Sequence, residues 1–290
     1  MKILNDIRCD IGEGPIWNEK EQLLYFTNGF YKNEICTYDF KNDKISTREC
    51  PFGVAAIAFD VQNRMIVSHS GGVHVLNKDN SLTPVYDNSK YCIKYANDMK
   101  VGPDGAIYVG TQSEKRKGIS DKINGKLYRI SPEGEVTVLL DGLILSNGME
   151  WSVDETKFYH TDSDTSIIRE YHFNKTKASI TATGRQISVF AVDGFTIGKD
   201  EHLYIGCWGQ GHVAKVDTKS LELTEYIKTP AKIPTSCGFC GEKMNVLAIT
   251  TALYTSDIEN DKNAGCTLLN EMTVEGRRPY LYGQNFKNLI

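Results

Sequence analysis

The chain is 290 residues long, 40% hydrophobic and 24% charged, with a formal net charge of −4, a composition ordinary for a folded globule. Its charges are interspersed, with no basic block to neutralise phosphates and no acidic tail to keep a segment unfolded, so neither nucleic-acid binding nor disorder is expected. No apolar run reaches the roughly 18 residues of a membrane span, and polar residues break the start (Met1-Lys2-Ile3-Leu4-Asn5-Asp6) before a signal-peptide core can form; a cytoplasmic protein whose eight cysteines are reduced thiols is expected.

In chain order, one pattern recurs six times: an apolar anchor, a turn rich in Gly, Asp or Asn, and a short β-rich run. It appears as Trp17-Asn18 leading to Leu24-Tyr25-Phe26, then Phe59-Asp60 leading to Met65-Ile66-Val67, then Val101-Gly102-Pro103-Asp104-Gly105 leading to Ile107-Tyr108-Val109. Trp151-Ser152 leads to Phe158-Tyr159, Ile197-Gly198 to Leu203-Tyr204-Ile205, and Cys240-Gly241 to Val246-Leu247-Ala248. The anchors 17, 59, 101, 151, 197 and 240 are separated by 42, 42, 50, 46 and 43 residues. A period of roughly 40–50 residues built from short strands is that of propeller blades. No stretch carries a persuasive helical period. The polar residues 113–124 account for the long third gap and read as a loop extension. The expectation is an all-β, six-bladed β-propeller forming one domain over residues 1–290. Either residues 1–10 or residues 286–290 would supply the last outer strand.

Four residues before each anchor stand Glu13, Ala55, Asn97, Asn147, Asp193 and Ser236. If this position opens the innermost strand of each blade, all six side chains converge at one mouth of the central channel. Glu13, Asn97, Asn147 and Asp193 then form an all-oxygen set with two negative charges, which suits a hard divalent cation. Calcium is the first candidate, with magnesium, manganese or zinc behind it; zinc ordinarily favours His or Cys, and the column has neither. Asn and Asp also recur in repeats as turn residues that satisfy backbone groups. That reading serves any one of them alone but does not explain two carboxylates in the same register, which repel unless a cation, a raised pKa or separation relieves them. Asp98 occupies the next position, where other blades carry Gly14, Ala56, Gly148, Gly194 and Cys237, and is a candidate for supporting the site or touching a substrate.

The ordered fragments Gly12-Glu13-Gly14-Pro15-Ile16-Trp17, Asn97-Asp98 followed by Gly110-Thr111, Ser146-Asn147-Gly148-Met149-Glu150-Trp151, Asp193-Gly194 and Thr235-Ser236-Cys237 resemble the SMP-30/gluconolactonase family of propellers, which includes regucalcin-like sugar lactonases. The resemblance runs nearly the full length. It implies that Glu13, Asn147 and Asp193 are metal ligands and that Asn97 binds metal or substrate. It also implies a hydrolase that opens a small lactone, with Asp193 activating water or attacking directly and Asn97 orienting the carbonyl. Two positions depart from the sugar-lactonase pattern. Tyr95 stands where an Arg is usual, offering an aromatic face and one hydroxyl. Lys115 stands near a position usually held by Glu, where it would favour an anionic substrate unless it is simply solvated. Organophosphate or other ester hydrolysis uses the same kind of site, and a non-catalytic calcium-binding or ligand-binding propeller is the alternative class.

Other motifs carry less. Cys237 and Cys240 have redox-like spacing but fall on an inner strand. His160-Thr161-Asp162 reads as a structural hydrogen-bonded group. No nucleophile elbow, phosphate loop or dinucleotide fingerprint is present. A small-molecule lactone or ester is the expected partner, with no nucleic acid and no membrane; the sequence gives no oligomeric state.

Overall fold

Short runs of β-branched and aromatic residues bounded by turn formers fold here into six four-stranded antiparallel sheets. The structure is a computed structural model that describes residues 1–29, 32–256 and 258–284. Strand β1 (Lys2–Leu4) comes first in the chain and belongs to the last sheet. Blade one is β2 (Gly12–Asn18), β3 (Leu23–Asn28), β4 (Glu34–Asp39) and β5 (Lys44–Glu49); blade two is β6 (Val54–Phe59), β7 (Met65–His69), β8 (Gly72–Leu76) and β9 (Leu82–Pro84). Blade three is β10 (Ala96–Val101), β11 (Ile107–Thr111), β12 (Gly125–Ile130) and β13 (Val136–Leu143); blade four is β14 (Ser146–Trp151), β15 (Lys157–Asp162), β16 (Ile167–Asn174) and β17 (Ser179–Ser188). Blade five is β18 (Val192–Ile197), β19 (His202–Cys207), β20 (His212–Asp217) and β21 (Glu222–Lys228). Blade six is β22 (Pro234–Cys240), β23 (Val246–Thr251), β24 (Thr267–Glu271) and, completing it, β1.

The first strand of each blade touches the first strands of both neighbouring blades, closing a ring from β2 round to β22 and back. This is a six-bladed β-propeller, and each of the six anchors lies at or next to the end of a first strand. Packing is between blades. Trp17, Leu24 and Phe26 of blade one pack with Phe239, Leu247 and Leu268 of blade six, and Tyr108 of blade three meets Trp151 of blade four edge-on at 4.7 Å. The two repeat-equivalent tryptophans thus serve as wedges. The outer edge of blade one is polar: β5 reads Lys-Ile-Ser-Thr-Arg-Glu and is largely exposed, which blunts edge-to-edge association there. All eight cysteines are free, seven of them buried. The only helical element among the described residues is a 3₁₀ turn at Ser163–Thr165, and none of those residues forms a helix long and apolar enough to cross a membrane.

Closure uses both ends of the chain. Lys2, Ile3 and Leu4 pair antiparallel with Leu269, Leu268 and Thr267, so the N-terminus supplies the last outer strand; residues 286–290, the other candidate, lie outside the described residues. After β24 the chain crosses the face where the first strands end. The Gly276 N–H donates to Met244 and the Lys199 N–H to Glu275. Arg277 donates to the Trp151 and Ser152 carbonyls, and the Tyr282 hydroxyl donates to Ser131 O at 2.7 Å. Arg277 also pairs with buried Glu150, whose other oxygen lies 2.8 Å from Lys100 Nζ.

Two outcomes follow. Removing residues 1–4 uncovers the edge of β24 and is expected to lower the thermal midpoint and promote aggregation; an unchanged melt would place closure elsewhere. Glu150→Ala leaves Lys100 and Arg277 without their shared carboxylate and is expected to cost about 3–5 kcal/mol, read by urea denaturation.

Candidate active site

In all six blades the pairing between first and second strands slips close to the start of the first strand. The irregularities fall between Glu13 and Ile16, Val54 and Ala56, Ala96 and Met99, Asn147 and Met149, Val192 and Phe195, and Pro234 and Ser236. A β-bulge re-aims the side chain beside it, and each bulge sits at the column Glu13, Ala55, Asn97, Asn147, Asp193 and Ser236. The residue after the column must be small where blades crowd. Gly148 has φ +39°, and a Cβ there would stand 2.4 Å from the Phe195 ring. A Cβ on Gly194 would stand 2.2 Å from Ser236 Oγ.

The structure brings the polar members of the column together. Asn147 Nδ2 donates a short hydrogen bond to Asp193 Oδ1, while the Gly148 N–H donates to Asn147 Oδ1 at 3.0 Å. Asn97 is fixed in orientation: Gln112 Nε2 donates to its Oδ1 at 3.1 Å, and its own Nδ2 donates to Ser146 O at 3.2 Å. Asp98 accepts the Met99 N–H at 2.8 Å and a further N–H from Gly148. A cavity of about 80 Å³ lies on the axis beneath, lined by residues of all six first strands, including Ile57, Asp98 and Thr196, and floored by residues 277–280. Lys100 bridges Glu150 and the Phe195 carbonyl in this floor.

The electrostatics follow from that crowding. Burial pushes the Glu13 carboxyl well above its usual range, and Asp193 and Asp98 push it further. Burial raises Asp193 to about 7; the Asn147 hydrogen bond and the charge of Arg116 pull down, and Asp98 pushes up. Asp98 is raised by burial against the pull of Lys100. Burial would raise Glu150 too, but Lys100 and Arg277 reverse its shift. Three acids on one axis are therefore held toward their neutral forms for want of positive charge, and a divalent cation among Glu13, Asn147 and Asp193 would supply it. Among the described residues no group of three or more His, Cys, Asp or Glu is placed to hold a metal ion.

The rim is built from the exits of the second strands. In blades three to six the exit N–H is tied to a residue entering a first strand: Gln112 to Tyr95 O, Ser163 to Leu145 O, Trp208 to Ala191 O and Ala252 to Ile233 O, at 2.8 to 3.1 Å. Tyr95 holds a left-handed φ of 57°, a strained conformation for a bulky residue, secured by Gln112 and by its own N–H to Ser70 O. The Trp208 ring lies 6.4 Å from that of Tyr254. Lys115 is exposed; the cation whose field reaches Asp193 is its neighbour Arg116. Gln112, Trp208 and Arg116 were not among the sequence candidates. Reading the repeat at a second register, the residue just beyond each second strand, would have found the first two. His160 lies with Nε2 2.7 Å from Ser146 Oγ, its pKa driven down to about 3 by burial, and Asp162 accepts the Ile144 and Leu145 N–H groups; both are structural. Burial raises the Cys237 and Cys240 thiols, which leaves them inert.

Fold and site together describe a six-bladed propeller with an acid-and-amide ring at one channel mouth. The chain belongs to the SMP-30/Gluconolactonase/LRE-like family, whose model matches residues 11–253. Regucalcin from Gallus gallus is 25% identical over 288 residues, covering 94% of this chain and 95% of that protein. Among solved structures, a calcium-binding regucalcin from Agrobacterium tumefaciens superposes with a TM-score of 0.85 at 21% identity, covering 98% of both chains. A gluconolactonase from Xanthomonas campestris superposes at 0.72 and 19% identity, covering 90% of this chain and 86% of its own.

The shifted acids give a pH signature. A carboxyl whose folded pKa exceeds its unfolded value binds protons more tightly when folded, so stability falls as pH rises between the two. In chelator, stability is expected to decline between about pH 4 and pH 7, the ordinary and shifted values of Asp193. Added calcium should abolish the decline by taking the proton's place. Melting temperature against pH with and without calcium reads this, and parallel curves would contradict it.

Proposed function

We propose that this chain is a metal-dependent hydrolase that opens a small lactone or a similarly reactive ester. The observation that carries the reading is the meeting of Asp193, hydrogen-bonded by Asn147, with Glu13 at a channel mouth where burial disfavours their charges. An ordinary binding propeller has no need to concentrate uncompensated acids there. Glu13, Asn147 and Asp193 would hold the ion, with Asn97 beside them, and oxygen donors make calcium the first choice over magnesium or manganese. A divalent cation held there would polarise an ester carbonyl and lower the pKa of water.

The chain's own groups supply the rest. Asp193 takes the proton of the attacking water, with its carboxylate oriented by the Asn147 amide. Water's oxygen bonds to the carbonyl carbon, the ring C–O bond breaks, and the proton passes to the departing ring oxygen, leaving a hydroxy acid. Asn97, kept in one orientation by Gln112 and Ser146, has a second amide hydrogen with which to steady the carbonyl oxygen. Tyr95, Trp208 and Tyr254 form a partly aromatic rim suited to the flat face of a ring. The regucalcin and gluconolactonase likenesses support the lactone class without naming a substrate.

The test is a pH-indicator assay across a lactone and ester panel, with calcium content measured in parallel. Asp193→Ala is expected to lose about 10²–10⁴-fold in kcat/KM, and chelation of the wild type should silence it reversibly. Bound calcium with no turnover of any lactone or ester would instead favour a non-catalytic calcium-binding propeller.

A further inference from the structure

We infer that Lys100 is a positioning residue whose ammonium group sets the spacing of the strands that carry Asn97, Asn147 and Asp193. The inference rests on the metal-hydrolase reading above and identifies what holds that site's geometry. Its starting point is the layer of the channel next below the ring. Three residues after each member of the column stand Ile16, Ala58, Lys100, Glu150, Thr196 and Phe239, and all six line the axial cavity. Blades one, two and six fill this layer with apolar side chains, so closing the propeller does not require polar ones. The polar trio falls on blades three, four and five, the same three first strands that carry Asn97, Asn147 and Asp193.

Lys100 ties those three strands together. Its Nζ donates to Glu150 Oε2 on β14 at 2.8 Å and to the Phe195 carbonyl on β18 at 2.6 Å. One side chain of β10 thus grips the first strands of the next two blades, three residues past Asn147 and two past Asp193. Both acceptors are themselves fixed. The other Glu150 oxygen accepts the Trp151 N–H at 3.0 Å and pairs with Arg277. Phe195 is buried, and a Cβ on Gly148 would stand 2.4 Å from its ring and 2.6 Å from the Asp193 carbonyl oxygen. There is no slack between β14 and β18 beside the ring, so a shift of Phe195 is passed to the Asn147–Asp193 hydrogen bond. A buried ion pair adds little net stability over an apolar contact, and fixing one arrangement is its best-attested use. That use matters here, because misplacing reacting groups by about 1 Å costs about 10²-fold in rate.

The alternative roles for Lys100 are to add stability or to add charge, and the experiment separates all three. Calcium binding is measured by calorimetry on wild type, Lys100→Met and Arg277→Met. Arg277→Met takes the other cation from Glu150 but leaves both Lys100 bonds, so it controls for lost stability. Removing a positive charge near the ring would, by Coulomb attraction alone, tighten the binding of a cation. Loss of positioning weakens it. Lys100→Met is expected to raise the calcium Kd about tenfold and to lower kcat about tenfold to a hundredfold, with Arg277→Met binding no more weakly than wild type. A Kd in Lys100→Met equal to or below that of wild type overturns the inference while leaving the hydrolase reading intact. Amide hydrogen exchange in the metal-free proteins reads positioning without ion or turnover. Faster exchange at Gly148 and Gly194 in Lys100→Met, but not in Arg277→Met, upholds the inference even if wild type binds no calcium and opens no lactone. Rates in Lys100→Met that match either other protein overturn it. If Lys100→Met does not fold, Lys100→Gln, neutral and one bond shorter, carries the same expectations.

Discussion

Carboxylates are costly to take out of water, and this ring gathers three of them about one axis. Much of the local architecture can be read as compensation. The bulges turn backbone N–H groups of Gly14, Met99, Gly148 and Gly194 toward acid oxygens. Asn147 lends an amide hydrogen to Asp193. Lys100 lowers Asp98 by its charge, and Lys100 is in turn held by Glu150, whose other oxygen pairs with Arg277. Charge on the axis is thereby linked to the segment that crosses the far side of the ring. These donors reduce the cost but leave the acids short of positive charge, which is the condition under which a cation is retained.

The propeller makes such a site possible because it repeats. Six nearly equivalent strands deliver six side chains to the same height, and the chain differentiates them by substitution alone. Alanine and serine occupy two positions of the column, amides two and acids two. Asymmetry enters through loops. The insertion in blade three sets Arg116 3.7 Å from Asp164 of blade four, while Trp208 and Tyr254 form an aromatic pair contributed by blades five and six.

The fold was largely legible because blade spacing is a one-dimensional signal: anchors 42 to 50 residues apart mark the ends of first strands. The convergence of the column followed from register alone. What escaped has a common physical cause, since it depends on backbone geometry or on contacts between distant segments. A bulge leaves no fixed residue pattern, so the repeated slip beside the column was not visible. The crossing of residues 276–282 is an irregular segment linked through backbone and side chains to all six blades, with no periodicity to announce it. Lys115 and Arg116 are neighbours of like charge, and only the folding of their loop decides which one pairs with Asp164. The choice between termini for closure was open because each end carries a short apolar run, and pairing with β24 selects Lys2–Leu4.

That pairing also bears on how the molecule comes into being. Strand β1 can find its partner only after β24, the last-made strand of its sheet, has been synthesised. Until then β1 waits unpaired and the nascent ring stays open. Such distant contacts slow acquisition of the native state.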